Sequence, residues 1–140
     1  MDKIIIHTDG GARGNPGPAG IGAVIQREGE EVLKEISEYI GEQTNNYAEY
    51  EALIRALEEC KKIFGAKLKD IEVEVVMDSE LVVRQLSGIY KVKEPTLKEK
   101  FAEVAKMRLQ EIPNITFRHI RREENAHADK LVNEAIDKAV

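Results

Sequence analysis

The chain opens with three consecutive isoleucines, Ile4-Ile5-Ile6, which lead through His7 and Thr8 to Asp9. Glycines then stand at positions 10, 11, 14, 17 and 20, with Pro16 and Pro18 among them. The isoleucine run reads as a buried strand. The glycine-rich segment reads as a loop that lets backbone come close to a ligand, with Asp9 at the end of the strand. Two readings are open at this point. The strand delivers a carboxylate to a site, or the segment is an ordinary strand-to-hairpin connection with an aspartate in a turn.

Periodicity supplies the remaining elements. Strands are expected over residues 4–8, 21–26, 31–40, 71–77 and 114–120, with Arg27-Glu28-Gly29-Glu30 as a hairpin turn. Val32, Ile36 and Ile40 mark the inner face of the third strand, although Leu33 breaks the alternation. Thr44 is placed to cap a helix that runs to about residue 64 and stops at Gly65. Its apolar stripe is Ala52, Leu53, Ala56, Leu57, Cys60, Ile63 and Phe64. Further helices are expected over 79–86, 95–110 and 125–139, the last with Ala128, Leu131, Val132, Ala135, Ile136 and Ala139 on one side. The order β-β-β-α-β-α-α-β-α describes an α/β fold: an antiparallel part built from hairpins, then parallel strands with helices on both faces. Residues 1–140 are expected to form one domain, without linker or internal repeat.

Composition removes several classes. No apolar run is long enough to span a membrane. The start, Met1-Asp2-Lys3 followed by a strand, carries no signal-peptide pattern. Cys60 is the only cysteine, which excludes an internal disulfide and a cysteine metal cluster. A cytoplasmic protein is expected. The net charge of −5 argues mildly against a general nucleic-acid binder. It does not exclude one, because cations can gather on one face and a metal ion can screen clustered acids. Neither the dinucleotide-binding spacing Gly-x-Gly-x-x-Gly nor a phosphate-binding Gly-Lys-Ser/Thr occurs.

Position selects four of the 26 acids. Asp9 and Asp78 each end an expected strand, and parallel neighbours would bring them together at the carboxyl edge of the sheet. Glu49 continues the inward stripe of the long helix through Ala52, Leu53 and Ala56, where an unpaired carboxylate is expensive. Asp129 lies at the edge of the stripe of the last helix. Bland roles stay open for two of them: Asp78 as a helix cap, and Asp129 as a first-turn acid favoured by the helix dipole. Carboxylates forced together repel one another, and a divalent cation removes that conflict. An all-oxygen set favours Mg²⁺ or Mn²⁺ over zinc.

Four segments resemble the motifs of type 1 ribonuclease H. The first is Asp9-Gly10-Gly11-Ala12-Arg13-Gly14-Asn15-Pro16-Gly17-Pro18-Ala19-Gly20 and the second Thr44-Asn45-Asn46-Tyr47-Ala48-Glu49-Tyr50-Glu51-Ala52-Leu53. The third is Asp78-Ser79-Glu80-Leu81-Val82-Val83, and the fourth runs from Arg121-Arg122-Glu123-Glu124 through Asn125-Ala126-His127-Ala128 to Asp129. They follow in order and cover essentially the whole chain. The resemblance implies a five-stranded mixed sheet flanked by helices on both faces. It implies metal-dependent endonucleolytic hydrolysis of the RNA strand of RNA–DNA hybrids, with two Mg²⁺ ions per site and Mn²⁺ as the alternative. Asp9, Glu49, Asp78 and Asp129 would be the catalytic, metal-binding carboxylates. Gly10, Gly11, Asn15 and Asn45 would line the RNA strand, where the 2′-hydroxyl distinguishes RNA from DNA. Thr44 would help hold a phosphate of the DNA strand. Hybrid is the expected partner, with double-stranded RNA as a further candidate, and a monomer is expected.

The chain also departs from many relatives. A basic, tryptophan-containing protrusion has no room between Gly88 and Pro95, and there is no tryptophan. The chain looks like the shorter members found in archaea and some bacteria. Tyr90, Lys91, Lys93 and Lys98 form either a reduced grip on the DNA strand or a solvated basic turn. Neither His119 nor His127 matches the auxiliary loop histidine, which leaves Arg121 and Arg122 as electrostatic substitutes. His7 reads as a packed strand histidine, and Glu80 stands where relatives often have Gln. The competing readings are a non-catalytic hybrid- or double-stranded-RNA-binding module and a different nuclease of the same fold. A pure binder gains nothing from clustering acids near phosphates, and the Asn-Pro-Gly-Pro and Thr-Asn-Asn segments favour ribonuclease H over other nucleases.

Overall fold

The computed structural model describes residues 2–140. Five strands form one mixed sheet in the order β3-β2-β1-β4-β5: β1 Lys3–Ala12, β2 Gly17–Arg27, β3 Val32–Gln43, β4 Glu72–Met77 and β5 Ile115–His119. The hairpin-linked strands β1, β2 and β3 pair antiparallel. β4 runs parallel to both β1 and β5, as the helical crossovers between them require. The helices are α1 Asn45–Phe64, α2 Glu80–Leu86, α3 Pro95–Gln110 and α4 Ala126–Ala139.

Helices cover both faces. Ile4 and Ile6 of β1, with Ile21 and Ile25 of β2 and Val73 and Val75 of β4, pack against Leu53 and Leu57 of α1, Val82 of α2 and Val104 of α3. Leu53 and Leu57 are fully buried, each contributing about 2 kcal/mol by removal of apolar surface from water. On the opposite face α4 lays Ala128, Leu131, Val132, Ala135 and Ile136 against β2 and β3. Thr44 caps α1 as expected, its Oγ1 accepting from the Tyr47 N–H at 3.2 Å. Gly65 ends that helix with φ +57° and its N–H on the Lys61 carbonyl.

The glycine-rich segment differs from its expected form. β1 continues through Asp9, Gly10 and Gly11 to Ala12, and β2 already starts at Gly17, so the connection is short and Asp9 lies inside a strand. Of the glycines at 10, 11, 14, 17 and 20, only Gly14 has a positive φ, +95°. Gly10, Gly17 and Gly20 serve close packing, whereas Gly11 has room for a Cβ. A Cβ on Gly22, opposite Asp9 in the ladder, would stand 2.3 Å from the Ala128 carbonyl oxygen. α4 approaches the sheet there because no side chain intervenes.

Three smaller differences have local causes. A bulge between Ile25 and Gln26 pairs Val32 with Gln26, on the face opposite Ile25, so Val32 is exposed while Ile36 is buried. Ile63 and Ala139, expected on apolar stripes, are exposed near helix ends. Residues Gly65–Asp70 and Arg122–Asn125 form 3₁₀ turns. No helix among the described residues is long and apolar enough to cross a membrane.

Candidate active site

Asp9 and Asp78 meet because β1 and β4 are parallel neighbours. Thr8 pairs with Met77, and each aspartate is the next residue. Asp78 does not cap α2; Ser79 does, its Oγ accepting from the Val82 N–H at 3.3 Å. Glu49 arrives from α1, and Gly10 makes this possible. A Cβ on Gly10 would stand 2.2 Å from the backbone carbon and oxygen of Ala48. Without it α1 rests directly on β1, and the Gly10 N–H donates to Glu49 Oε1 at 2.7 Å. Asp9, Glu49 and Asp78 each offer an oxygen within 4.8 Å of the others. Asp129, in the first turn of α4, lies outside this tight group but lines the same cleft.

Burial and mutual repulsion dominate the electrostatics. Asp9 is 7% exposed, and burial, followed by the charges of Asp78 and Asp129, pushes its carboxyl up to about 8. Burial and the charges of Asp9 and Asp78 hold Glu49 well above the usual carboxylate range. Burial also raises Asp78, against the opposing pull of the Asn125 amide and the Arg122 charge. The group would therefore bind protons, or a cation in their place. The set offers only oxygens, gathered within 4.8 Å of one another, which is the donor chemistry that hard divalent cations take.

The carboxylates line a cleft of about 570 Å³ with Gly10, Gly11, Asn45, Asn46 and Ser79, Arg122 and, toward α4, Arg13 and Asn133. Asn15 and Thr44 line an adjoining hollow of about 450 Å³ with Tyr47, Glu94 and Thr96, and Asn46 borders both. The two asparagines are tied to each other's elements. Asn15 Oδ1 accepts from the Asn45 N–H at 3.0 Å, and Asn45 Oδ1 from the Ala12 N–H at 2.8 Å. The hairpin tip is thereby fixed to the start of α1, and both side chains have their oxygens engaged and their Nδ2 donors left over.

The other candidates separate. Arg122 lines the cleft, while Arg121 is exposed and its N–H donates to Glu124 Oε1 at 3.4 Å. His119 Nε2 lies 3.3 Å from the Asp78 carbonyl oxygen, and His127 pairs with Glu35. His7 is half-buried, its pKa lowered by burial and by the Arg118 charge. Tyr90, Lys91, Lys93 and Lys98 are exposed. Sequence reasoning missed Asn125 as a site residue. It is 1% exposed, and its Nδ2 donates to the Thr8 carbonyl at 2.9 Å and to Asp78 Oδ2 at 3.4 Å. The available signal was a polar residue at the start of an apolar helical stripe.

A reverse-transcriptase-like family model matches residues 7–135. The structure superposes on LC11-RNase H1, isolated from compost by a metagenomic approach, with a TM-score of 0.94 and 69% identity over 99% of both chains. The chain belongs to the ribonuclease H family. LC11-RNase H1 in complex with an RNA/DNA hybrid also matches, at 68% identity and a TM-score of 0.93 over 97% of this chain and 98% of that one. Ribonuclease HI of Halobacterium salinarum is 37% identical over 98% of this chain and 66% of that protein. The bifunctional protein Rv2228c of Mycobacterium tuberculosis is 43% identical over 98% of this chain. The chain spans only 36% of that protein's length, about a third.

Proposed function

We propose that this chain is a metal-dependent endonuclease that hydrolyses the RNA strand of RNA–DNA hybrids. The observation that carries the reading is the group of buried Asp9 and Glu49 with half-buried Asp78, their ligand oxygens within 4.8 Å and Asp9 raised to about 8. Family membership and the hybrid-bound neighbour structure support the substrate.

Asp9, Glu49, Asp78 and Asp129 would hold the divalent ions, two per site. Bound there, such ions supply charge neutralisation, polarisation of a phosphoryl oxygen and activation of water. The Gly10 N–H and the Asn125 amide orient Glu49 and Asp78. Gly10, Gly11, Asn15 and Asn45 face the RNA strand. With both asparagine oxygens engaged, the groups left over are amide donors, suited to the oxygen of a 2′-hydroxyl. Thr44, in the adjoining hollow, serves a phosphate of the DNA strand. Arg122 places positive charge beside Asp78, the role proposed for it in place of an auxiliary histidine. The reaction forms a bond from water oxygen to phosphorus and breaks the bond from phosphorus to the 3′-oxygen, leaving 5′-phosphate and 3′-hydroxyl ends.

Strand-labelled RNA–DNA hybrid, double-stranded RNA and double-stranded DNA, each incubated with Mg²⁺ or Mn²⁺, test this directly. The RNA strand of the hybrid is expected to be cut and double-stranded DNA left intact. Binding of hybrid without cleavage in either ion would support the binding-module reading instead.

A further inference from the structure

The geometry points to Arg13 as a contact for an RNA-strand phosphate flanking the scissile one, held ready by Asp137 and Asn133. The assignment rests on the function proposed above. Arg13 and Arg122 are the two cations lining the cleft with the carboxylates. Arg122 acts on Asp78 at one end. Arg13 lies in the β1–β2 connection, four residues beyond Asp9, or roughly 13 Å of strand rise. The residues between them on the cleft floor are Gly10, Gly11 and Ala12, so no large side chain interrupts the path. A strand whose phosphodiester sits at the carboxylates can continue along that floor to Arg13.

Arg13 is already oriented. Its Nη2 forms an ion pair with Asp137 Oδ1 at 2.6 Å and donates to Asn133 Oδ1 at 3.3 Å. Asn133 Nδ2 in turn donates to the Asp129 carbonyl at 3.0 Å. The main chain of Arg13 is fixed as well, its N–H donating to the Pro18 carbonyl at 2.9 Å. Both side-chain contacts use one terminal nitrogen. Nε and Nη1 bond none of the described residues, on a side chain that is 42% exposed. A guanidinium carries five donors in a fixed fork, and a phosphate accepts from the edge left over. An ion pair this exposed contributes little to stability. Its consequence is orientation, which reduces the side-chain entropy lost when a phosphate binds. In a chain of net charge −5, a cation at each end of an acidic cleft also guides the strand's polyanion across it.

The test measures binding of a short RNA–DNA hybrid by anisotropy across a NaCl series in EDTA, for wild type, Arg13→Ala, Arg13→Lys and Asp137→Ala. Thermal unfolding of each variant accompanies it. Arg13→Ala is expected to weaken binding about tenfold at low salt, as loss of a hydrogen bond to a charged group implies. It should also lower the slope of log K against log salt by about 0.9, the value for one phosphate contact. Arg13→Lys should recover the slope but only part of the affinity. Asp137→Ala removes the orienting partner, which weakens binding, together with a negative charge, which offsets part of the loss; it should weaken binding less than Arg13→Ala and leave the salt slope at the wild-type value. Equal affinity and slope for wild type and Arg13→Ala would overturn the assignment. So would equal weakening in Arg13→Ala and Asp137→Ala, which marks a purely structural clamp. Cleavage of hybrid by wild type in Mg²⁺ is scored separately: its failure would remove the proposed function, whereas success with an unaffected Arg13→Ala would remove only this contact.

Discussion

Gly10→Ala is expected to be far more damaging than Gly11→Ala, although the two glycines are adjacent and both line the cleft. A Cβ at position 10 would stand 2.2 Å from Ala48 C and O and 2.5 Å from Glu49 N. Ordinary contact begins near 3.4 Å, so the shortfall is about 1.2 Å, and every obstructing atom is backbone. No side-chain rotation relieves the clash, and α1 itself must move away from β1. Overpacking of this kind costs about 3 kcal/mol, the upper end of its usual range. For a domain of this size that lowers the melting temperature by roughly 10 °C. A Cβ at position 11 meets only Val132 Cγ1, at 3.9 Å, so Gly11→Ala should melt within about 2 °C of wild type. The assays are thermal unfolding by circular dichroism and single-turnover cleavage of hybrid. Gly10→Ala should also lose turnover, because Glu49 moves with α1 and its bond from the Gly10 N–H is broken. Gly11→Ala keeps the frame, so any loss of activity there reports substrate contact. A Gly10→Ala protein within 1 kcal/mol of wild type would refute the claim that this contact sets the position of Glu49.

The metal-free protein should lose stability as pH rises from about 4 to about 8. Asp9 and Glu49 are raised, so across that window the folded state keeps protons that the unfolded chain has released, and the slope is negative. The stability from these groups is complete below the unfolded pKa and gone above the folded one. Urea midpoints in EDTA between pH 5 and 8.5 measure it, saturating Mg²⁺ should flatten the fall, and a rising profile in EDTA would contradict the buried cluster. Asn125→Ala removes a buried donor from the Thr8 carbonyl and from Asp78 and should destabilise by about 1–3 kcal/mol. It should also raise the Mg²⁺ concentration needed for half-maximal activity, which Mg²⁺ titration at fixed hybrid measures.

Much of the site was legible because two periodicities converge on it. The parallel pairing of β1 with β4 brings Asp9, inside β1, beside Asp78, just past β4, and a helical stripe turns Glu49 inward. The stripe follows from residue spacing alone, and the aspartate pair from spacing once the two strands are taken as parallel neighbours. The glycine segment was harder. Its glycines suggest turns, but Gly10, Gly20 and Gly22 serve strand–helix contact, which depends on elements remote in sequence. Val32 was misplaced because a single bulge reverses side-chain parity, and no composition signal announces one. Asn125 and the pairing of Asn15 with Asn45 are long-range hydrogen bonds, visible only once the chain is folded. The fourth carboxylate, Asp129, shows the limit of stripe arguments. Its helix face was right, yet it borders the cleft instead of joining the tight group of three.

The central claim, that the carboxylates work by holding divalent cations, is tested most directly by RNA-strand cleavage of a hybrid in Mg²⁺ and in EDTA, for wild type and Asp9→Asn. Wild type should cleave in Mg²⁺ and not in EDTA. Asp9→Asn should fold with at least wild-type stability at pH 8, since it removes a destabilising charge, and should lose turnover by about 10³-fold or more. Cleavage that persists in EDTA, or a wild-type rate in Asp9→Asn, would contradict it.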